Sequence, residues 1–172
     1  MKGFIHSFES LAALDGEGLR YAVFLSGCPL RCVYCHNPDT WEKGENAMES
    51  ADLVKKILRY KPYFGEKGGV TFSGGEPLCQ AKFIKECAKM LSENGVNIAI
   101  DTSGAAELCE DAKDVLLSCQ TVILDLKFWD DESYTKYTGK NMQNTLKTLD
   151  FLENLCYNNE KFIFATRSLY GY

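Results

Sequence analysis

Three cysteines, Cys28, Cys32 and Cys35, crowd into the stretch "SGCPLRCVYCHNPDTW" (Ser26–Trp41) with C-x3-C-x2-C spacing. Thiolates select soft metals, chiefly zinc or iron–sulfur clusters. A structural zinc ion takes four protein ligands, commonly in two paired knuckles, and this uneven triplet offers three. A cubane [4Fe–4S] cluster carries one cysteine per iron when fully ligated. Three cysteines therefore leave one iron open, and an open coordination position is where a metal site does chemistry. The competing readings are three core cysteines, or a zinc site that borrows a distant ligand such as His36. Gly27, Pro29, Arg31 and Tyr34 mark the segment as a loop and not as a core strand.

Further along, "SGGEP" (Ser73–Pro77) carries two glycines that let a backbone approach a ligand closely. The N–H groups of Gly74 and Gly75 could cradle a carboxylate, and Glu76 could accept from an amino group; an ordinary turn explains the motif equally well. "DTSG" offers Asp101 and Thr102. "DLK" sets Asp125 and Lys127 two residues apart, on one face of a strand. Oxygen ligands of this kind hold a hard cation or a ribose, Lys127 would face a carboxylate, and a surface salt bridge is the plain alternative. "LDGEGLR" (Leu14–Arg20) reads as a turn. His6 and His36 form no catalytic pair, and neither a P-loop, a nucleophile elbow nor a dinucleotide fingerprint is present.

The elements that must position these residues alternate between apolar runs and amphipathic segments. Tyr21–Gly27, Gly69–Gly75, Val96–Gly104 and Thr121–Phe128 read as strands, and "KFIFAT" as a possible fifth. Between them, "ADLVKKILRY" after Ser50 as N-cap, "AKFIKECAKMLSENG", "AELCEDAKDVLLSC" and residues 141–157 carry helical periodicity. Strands that alternate with helices imply a parallel sheet with right-handed crossovers, as a whole or partial β/α barrel or an open sheet. Cys28, "SGGEP", "DTSG" and "DLK" then fall at successive strand ends, the edge that carries the site in such folds.

The chain has 172 residues, one domain's worth, with 45% hydrophobic residues and a formal charge of −5. That charge argues against nucleic-acid or membrane-surface binding. Neither a bilayer-length apolar run nor a signal-peptide core is evident, so a cytoplasmic location is expected. Of eight cysteines, Cys79, Cys87, Cys109, Cys119 and Cys156 are scattered and read as small buried hydrophobes. Cysteine richness hints at an anaerobic setting.

The cysteine triplet followed by a GGE motif resembles the radical S-adenosylmethionine (SAM) superfamily. "IHSFES", "LDGEGLR", "SGCPLRCVYCHNPDTW", "GGVTFSGGEPL", "IDTSG" and "LDLK" narrow the resemblance to the glycyl-radical-enzyme activases of the pyruvate formate-lyase type. It implies a partial (β/α) barrel with four to five βα units, and an oxidoreductase that cleaves SAM to raise a glycyl radical on pyruvate formate-lyase. By that resemblance Cys28, Cys32 and Cys35 ligate a [4Fe–4S] cluster, and Tyr34 and His36 flank the adenine beside Cys35. Gly74, Gly75 and Glu76 meet the methionyl end. Asp101, Asp125, Leu126 and Lys127 lie along the nucleoside or carboxylate side, and a monovalent-cation site maps to Asp101, Thr102, Ile123 and Asp125. The implied partners are the glycyl radical enzyme and a reductant such as flavodoxin, with the activase a monomer.

Residues 42–68 contain no cysteine, so the ferredoxin-like insert of other activases is absent. Glu17 stands in "DGEG" where the family usually has proline. Residues 1–172 are expected to form one radical SAM domain lacking its usual C-terminal βα units, since "FIFATRSLYGY" departs from the family pattern and Arg167 is offset from the arginine expected there. A later SAM-contacting histidine and part of the partner surface would then be missing, and an exposed sheet edge would lower stability. Two rivals stand beside this reading: an activase of anaerobic ribonucleotide reductase, and a non-catalytic iron–sulfur protein or inactive fragment.

Overall fold

A computed structural model describes residues 1–13, 15–158 and 163–168. Leu14, Lys161 and Phe162 of the expected fifth strand, and the terminal four residues lie outside them. The elements run β1 (Lys2–Ala12), β2 (Arg20–Leu25), β3 (Ala47–Glu49), α1 (Ser50–Leu58), β4 (Gly69–Gly74), α2 (Ala81–Glu93), β5 (Asn97–Thr102), α3 (Glu110–Ser118), β6 (Thr121–Leu126), α4 (Asp131–Thr138), α5 (Gln143–Asn158) and β7 (Ile163–Ser168).

Among the described residues these strands form one seven-stranded sheet in the order β3-β1-β2-β4-β5-β6-β7. From β2 to β7 every pairing is parallel. The expected parallel sheet is extended at the other end by β1, a strand not expected from sequence, which pairs antiparallel with both β2 and β3. The residues around "DGEG" therefore close a hairpin, with Gly16 and Gly18 both at positive φ. β1 is hard to read in sequence because its alternation is broken. Register shifts fall at Ile5/Ser7 and Ser10/Ala12, and Leu11 sits at φ 66° and exposed beside the second shift, as at a β-bulge.

The parallel strands are covered on both faces, which is why they read as continuous apolar runs. Val70, Thr71, Phe72, Ile98, Ala99 and Ile100 are fully buried. α1 presents Leu53 and Ile57, α2 presents Phe83, Ile84, Cys87 and Leu91, and α3 presents Ala112, Val115 and Leu116 to this core. Each such large aliphatic side chain contributes about 1.5–3 kcal/mol on burial. Helix α3 begins at Glu110, later than its sequence pattern suggested, and Ser50 is the first residue of α1, not its cap. Helix α4 is an additional element that periodicity did not bring out. It is capped by Asp130 accepting from the Ser133 amide and ended by Gly139 at φ 77°.

The scattered cysteines divide, and this corrects the reading of all five as buried. Cys87 and Cys119 are buried, Cys156 is half-buried, and Cys79 and Cys109 are exposed. Cys109 is exposed because α3 starts one residue after it; Cys79 lies in a short 3-10 turn, Pro77–Gln80, and not in a helix face.

At the N-terminal ends of the strands Arg20 is 1% exposed. Its guanidinium donates to Thr71 Oγ1 (3.0 Å), Val70 O (2.6 Å), Asn97 Oδ1 (2.9 Å), Lys67 O (3.2 Å) and Glu17 O (3.3 Å). This buried cation ties β2, β4 and β5 together through neutral acceptors, and burial pulls its pKa down to about 10.

Candidate functional site

The cysteine loop leaves the end of β2 and is held on both flanks by backbone bonds. Gly27 N–H donates to Thr40 O (2.7 Å) and Cys28 N–H to Trp41 O (3.0 Å). On the far side Arg31 N–H donates to Thr138 O (2.7 Å) and Val33 N–H to Tyr137 O (3.0 Å), so the C-terminal turn of α4 cradles the loop. The Arg31 side chain folds back onto the Cys28 and Leu30 carbonyls (2.7 and 2.8 Å), pairs with Glu42 (2.7 Å) and lies over the Trp41 ring. Cys35 N–H closes a turn onto Cys32 O (3.0 Å).

A second apolar cluster lies under this loop: Leu30, Cys32, Phe128, Tyr134 and Met142, with Cys28, Tyr34 and Cys35 packed against it. All three cysteines therefore turn toward one apolar floor. Burial pushes the Cys28 thiol up to about 12 and raises that of Cys32 as well. Burial likewise raises the Tyr34 phenol, whose hydroxyl is buried without a hydrogen-bond partner among the described residues. His36 stands exposed just outside.

The glycine turn follows β4 and packs directly on this loop. Gly75 N–H donates to Leu25 O (2.9 Å) and Glu76 N–H to Gly27 O (2.8 Å). A Cβ on Gly75 would lie 2.5 Å from Gly27 O and 2.9 Å from Thr40 O, and Gly74, at φ 110°, would place one 2.3 Å from Leu25 N. Only glycines allow so close a contact of the two loops.

Glu76 is fully buried. Its Oε1 accepts from Thr102 Oγ1 (2.6 Å) and Leu78 N (3.0 Å), and its Oε2 from Ser103 Oγ (2.5 Å) and Ser103 N (2.9 Å). Burial raises its carboxyl above the ordinary range, while the Ser103 and Thr102 donors pull it back.

Asp101, half-buried at the end of β5, accepts from Ser73 Oγ (3.2 Å), and its register neighbour on β6 is Ile123. Asp125 and Lys127 form an ion pair at 2.5 Å. Burial alone would lower the Lys127 pKa; Asp125 outweighs it and the pKa is raised, with Cys32 and Asp101 adding to the attraction. Leu126, between them, is half-buried against the main core.

The fold thus gathers Cys28, Cys32, Cys35, Tyr34, Gly74, Gly75, Glu76, Asp101, Thr102, Asp125 and Lys127 along one edge of the parallel sheet. Three contributors went unassigned in the sequence. Ser73 and Ser103 sit inside motifs that were read, but serine is too common at turns to be singled out. Gln80 bridges β1 to the cysteine loop, donating to Phe4 O (2.8 Å) and Ser26 O (2.9 Å) and accepting from Phe4 N–H (2.8 Å); nothing in its sequence context marks it.

The donor set fits an iron–sulfur cluster: three thiols on one short loop, an apolar floor beneath them and an unsatisfied tyrosine hydroxyl beside them. Among the described residues no group of three or more His, Cys, Asp and Glu forms a site for a single metal ion. A cubane takes one thiolate per iron and spreads its ligands over several corners.

The architecture, five parallel strands alternating with helices behind an antiparallel hairpin, is the partial α/β barrel of the radical SAM type. It is shared with QueE from Escherichia coli (TM-score 0.59, 18% identity, 99% of this chain and 85% of that one). A domain of pyruvate-formate lyase-activating enzyme from Bacteroides vulgatus ATCC 8482 also shares it (TM-score 0.51, 26% identity, 59% of each chain). Residues 14–152 match the model of the 4Fe-4S single cluster domain, and the chain belongs to that family. Among curated proteins it is 44% identical over 155 residues to the pyruvate formate-lyase-activating enzyme of Clostridium pasteurianum, covering 89% of this chain and 64% of that protein. The corresponding enzyme of Staphylococcus epidermidis (strain ATCC 12228 / FDA PCI 1200) is also 44% identical, over 86% of this chain and 62% of the relative. The chain spans less than two thirds of the length of these relatives. Among the described residues no helix is long and apolar enough to cross a membrane.

Proposed function

We propose that this chain is the cluster-bearing domain of a radical SAM activase that raises a glycyl radical on pyruvate formate-lyase. The observation that carries the reading is the seating of a three-cysteine loop, over an apolar floor, directly against a glycine turn at the edge where Asp101, Asp125 and Lys127 converge. The identity to activating enzymes over most of the chain supports the same conclusion.

In this reading Cys28, Cys32 and Cys35 hold a [4Fe–4S] cluster whose fourth iron is left for SAM. When bound, the cluster supplies the electron that cleaves a C–S bond of the SAM sulfonium. The remaining work falls to the chain's own groups. The close-packed backbone at Gly74 and Gly75 receives the methionyl end. Lys127, kept charged by Asp125, faces a carboxylate. Tyr34 and exposed His36 flank the adenine, and Asp125 and Leu126 line the nucleoside. Asp101, Thr102, Ile123 and Asp125 are the proposed monovalent-cation ligands; the Thr102 hydroxyl is meanwhile turned to Glu76 (2.6 Å). The apolar floor of Leu30, Phe128 and Met142 keeps water from the thiolates. A low-potential carrier such as flavodoxin as reductant, a monomeric state, a single-domain organisation and a cytoplasmic location complete the proposal.

The test is anaerobic reconstitution with iron and sulfide, reduction in the presence of SAM, and chromatographic assay of 5′-deoxyadenosine. Pyruvate formate-lyase is then added and the glycyl radical followed by EPR. The expected result is nucleoside release and a doublet on that partner. A signal with anaerobic ribonucleotide reductase and none with pyruvate formate-lyase would overturn the partner assignment, and absence of 5′-deoxyadenosine would overturn the chemistry.

A further inference from the structure

A carboxylate in the middle of a glycine turn invites a direct role, as the acceptor for a ligand's ammonium group. The surroundings of Glu76 point elsewhere. The side chain is 0% exposed. An ionised carboxylate has about four lone-pair sites on its two oxygens, and four donors from the chain already meet them: Thr102 Oγ1, Leu78 N, Ser103 Oγ and Ser103 N, at 2.5 to 3.0 Å. Both hydroxyls are oriented as donors by the backbone. Gly104 N–H donates to Thr102 Oγ1 (2.9 Å) and Ala105 N–H to Ser103 Oγ (3.3 Å), so each hydroxyl passes its proton on to Glu76. A ligand ammonium would have to displace one of these partners.

Those four donors belong to two loops, and the Glu76 main chain holds a third. Its N–H donates to Gly27 O (2.8 Å), the residue before Cys28. The same Ser103–Ala105 turn is pinned from outside by α5, through Thr145 Oγ1 to Ser103 O (3.0 Å), Thr148 Oγ1 to Gly104 O (3.3 Å) and Asn144 Nδ2 to Ala105 O (3.2 Å). The rim of the site is therefore one bonded unit with Glu76 at its crossing point.

We infer that Glu76 is a positioning residue: a buried joint that locks the cysteine loop, the glycine turn and the Asp101–Gly104 turn in register, and not a group that contacts the bound molecule. The inference rests on the proposed function for the identity of that molecule, SAM. It accounts for the need for glutamate in particular. A glutamine keeps the shape but offers one accepting oxygen in place of two, so it strands two donors; an aspartate does not reach.

The experiment compares E76Q, S103A and the double variant in the cluster-loaded chain, kept oxidised so that SAM binds without turnover. Hydrogen exchange is followed for peptides covering Leu78 and Ser103, and SAM affinity is read by calorimetry. E76Q is expected to speed exchange at both amides and to weaken SAM about tenfold, because the unlocked rim has to be re-ordered when the ligand binds. S103A touches the carboxylate and not the ligand, and is expected to shift affinity the same way. The double variant is expected to be no weaker than E76Q, since both act through one joint. Lost affinity in E76Q with unchanged exchange, and wild-type affinity in S103A, would establish direct contact and overturn the inference. A fall in melting temperature with SAM affinity intact would also overturn the inference, because the joint would then serve stability alone. If E76Q does not fold, S103A decides alone, by whether exchange and affinity move together. Wild-type protein that binds no SAM would defeat the proposed function, while the exchange measurements still test the joint.

Discussion

At the residue scale two charged side chains are buried among the described residues, at opposite edges of one sheet, and they are satisfied in opposite ways. Arg20 is a cation surrounded by neutral acceptors, and Glu76 is an acid surrounded by neutral donors. Neither has a counter-ion among these contacts, so each depends on every hydrogen bond it makes. Arg20→Met is expected to destabilise the fold by about 2–4 kcal/mol, because it leaves acceptors on β4, β5 and the Glu17 and Lys67 loops unpaired. A urea titration with a lowered midpoint and an unchanged slope checks this. The cysteines separate in the same physical terms. Cys87 and Cys119 are buried, with thiols pushed up to about 12, whereas Cys109 caps α3 in the open. Brief iodoacetamide treatment of the native cluster-loaded protein, mapped by mass spectrometry, is expected to label Cys109 and to spare Cys87 and Cys119 until the chain is unfolded.

At the scale of elements, the site depends on how loops seat on one another and not on any single helix. The glycine turn touches the cysteine loop through backbone alone. Gly75→Ala puts a methyl group 2.5 Å from Gly27 O, and backbone cannot step aside as a flexible side chain can. The expected outcome is a folded protein, by circular dichroism, with iron and sulfide content reduced severalfold. Gly65→Ala is the control: unlike Gly75 it sits at positive φ (60°), but its Cβ meets nothing within 4 Å. It is expected to cost about 1 kcal/mol of stability and to leave cluster content unchanged. Helix α4 matters for the same reason. Its last turn supplies the Tyr137 and Thr138 carbonyls that hold the loop's far flank, and Tyr137 stacks on Phe128 of the apolar floor at 4.9 Å.

At the scale of the whole molecule, the sheet ends in strands of different character. β3 is three residues long, while β7 is a six-residue strand at the other end of the sheet order, with Ala165 and Thr166 exposed. Among the described residues β7 is paired with β6, and the unpaired side of a strand of that length is a template for pairing with another chain. Ala165→Lys is therefore expected to lower self-association at high concentration, read by static light scattering, with the circular dichroism spectrum unchanged. Ligand linkage acts on the molecule as a whole. SAM at about a hundredfold excess over its dissociation constant should stabilise the cluster-loaded chain by about 2.7 kcal/mol. Calorimetry is expected to show the rise in melting temperature in loaded protein and not after chelation of the iron.

What the sequence determined by itself is local: which residues carry chemistry and which segments alternate. The cysteine triplet, the glycine turn and the strand-end acids were legible because each depends on residue type and short spacing. The parallel strands were legible because burial on both faces writes a continuous apolar run. Tertiary structure decided the rest. The antiparallel β1 hairpin was hidden by its two register shifts. α4 was hidden because its exposed polar surface carries little periodicity, with Tyr134 and Thr138 as its buried residues. The fate of Cys79 and Cys109 turned on where helices start. Most of all, "SGGEP" read as a loop offering a carboxylate outward, and the fold turned that carboxylate inward. Whether a carboxylate faces a ligand or a neighbouring turn depends on donors 26 and 27 residues away in the chain, and only folding brings them within hydrogen-bond reach.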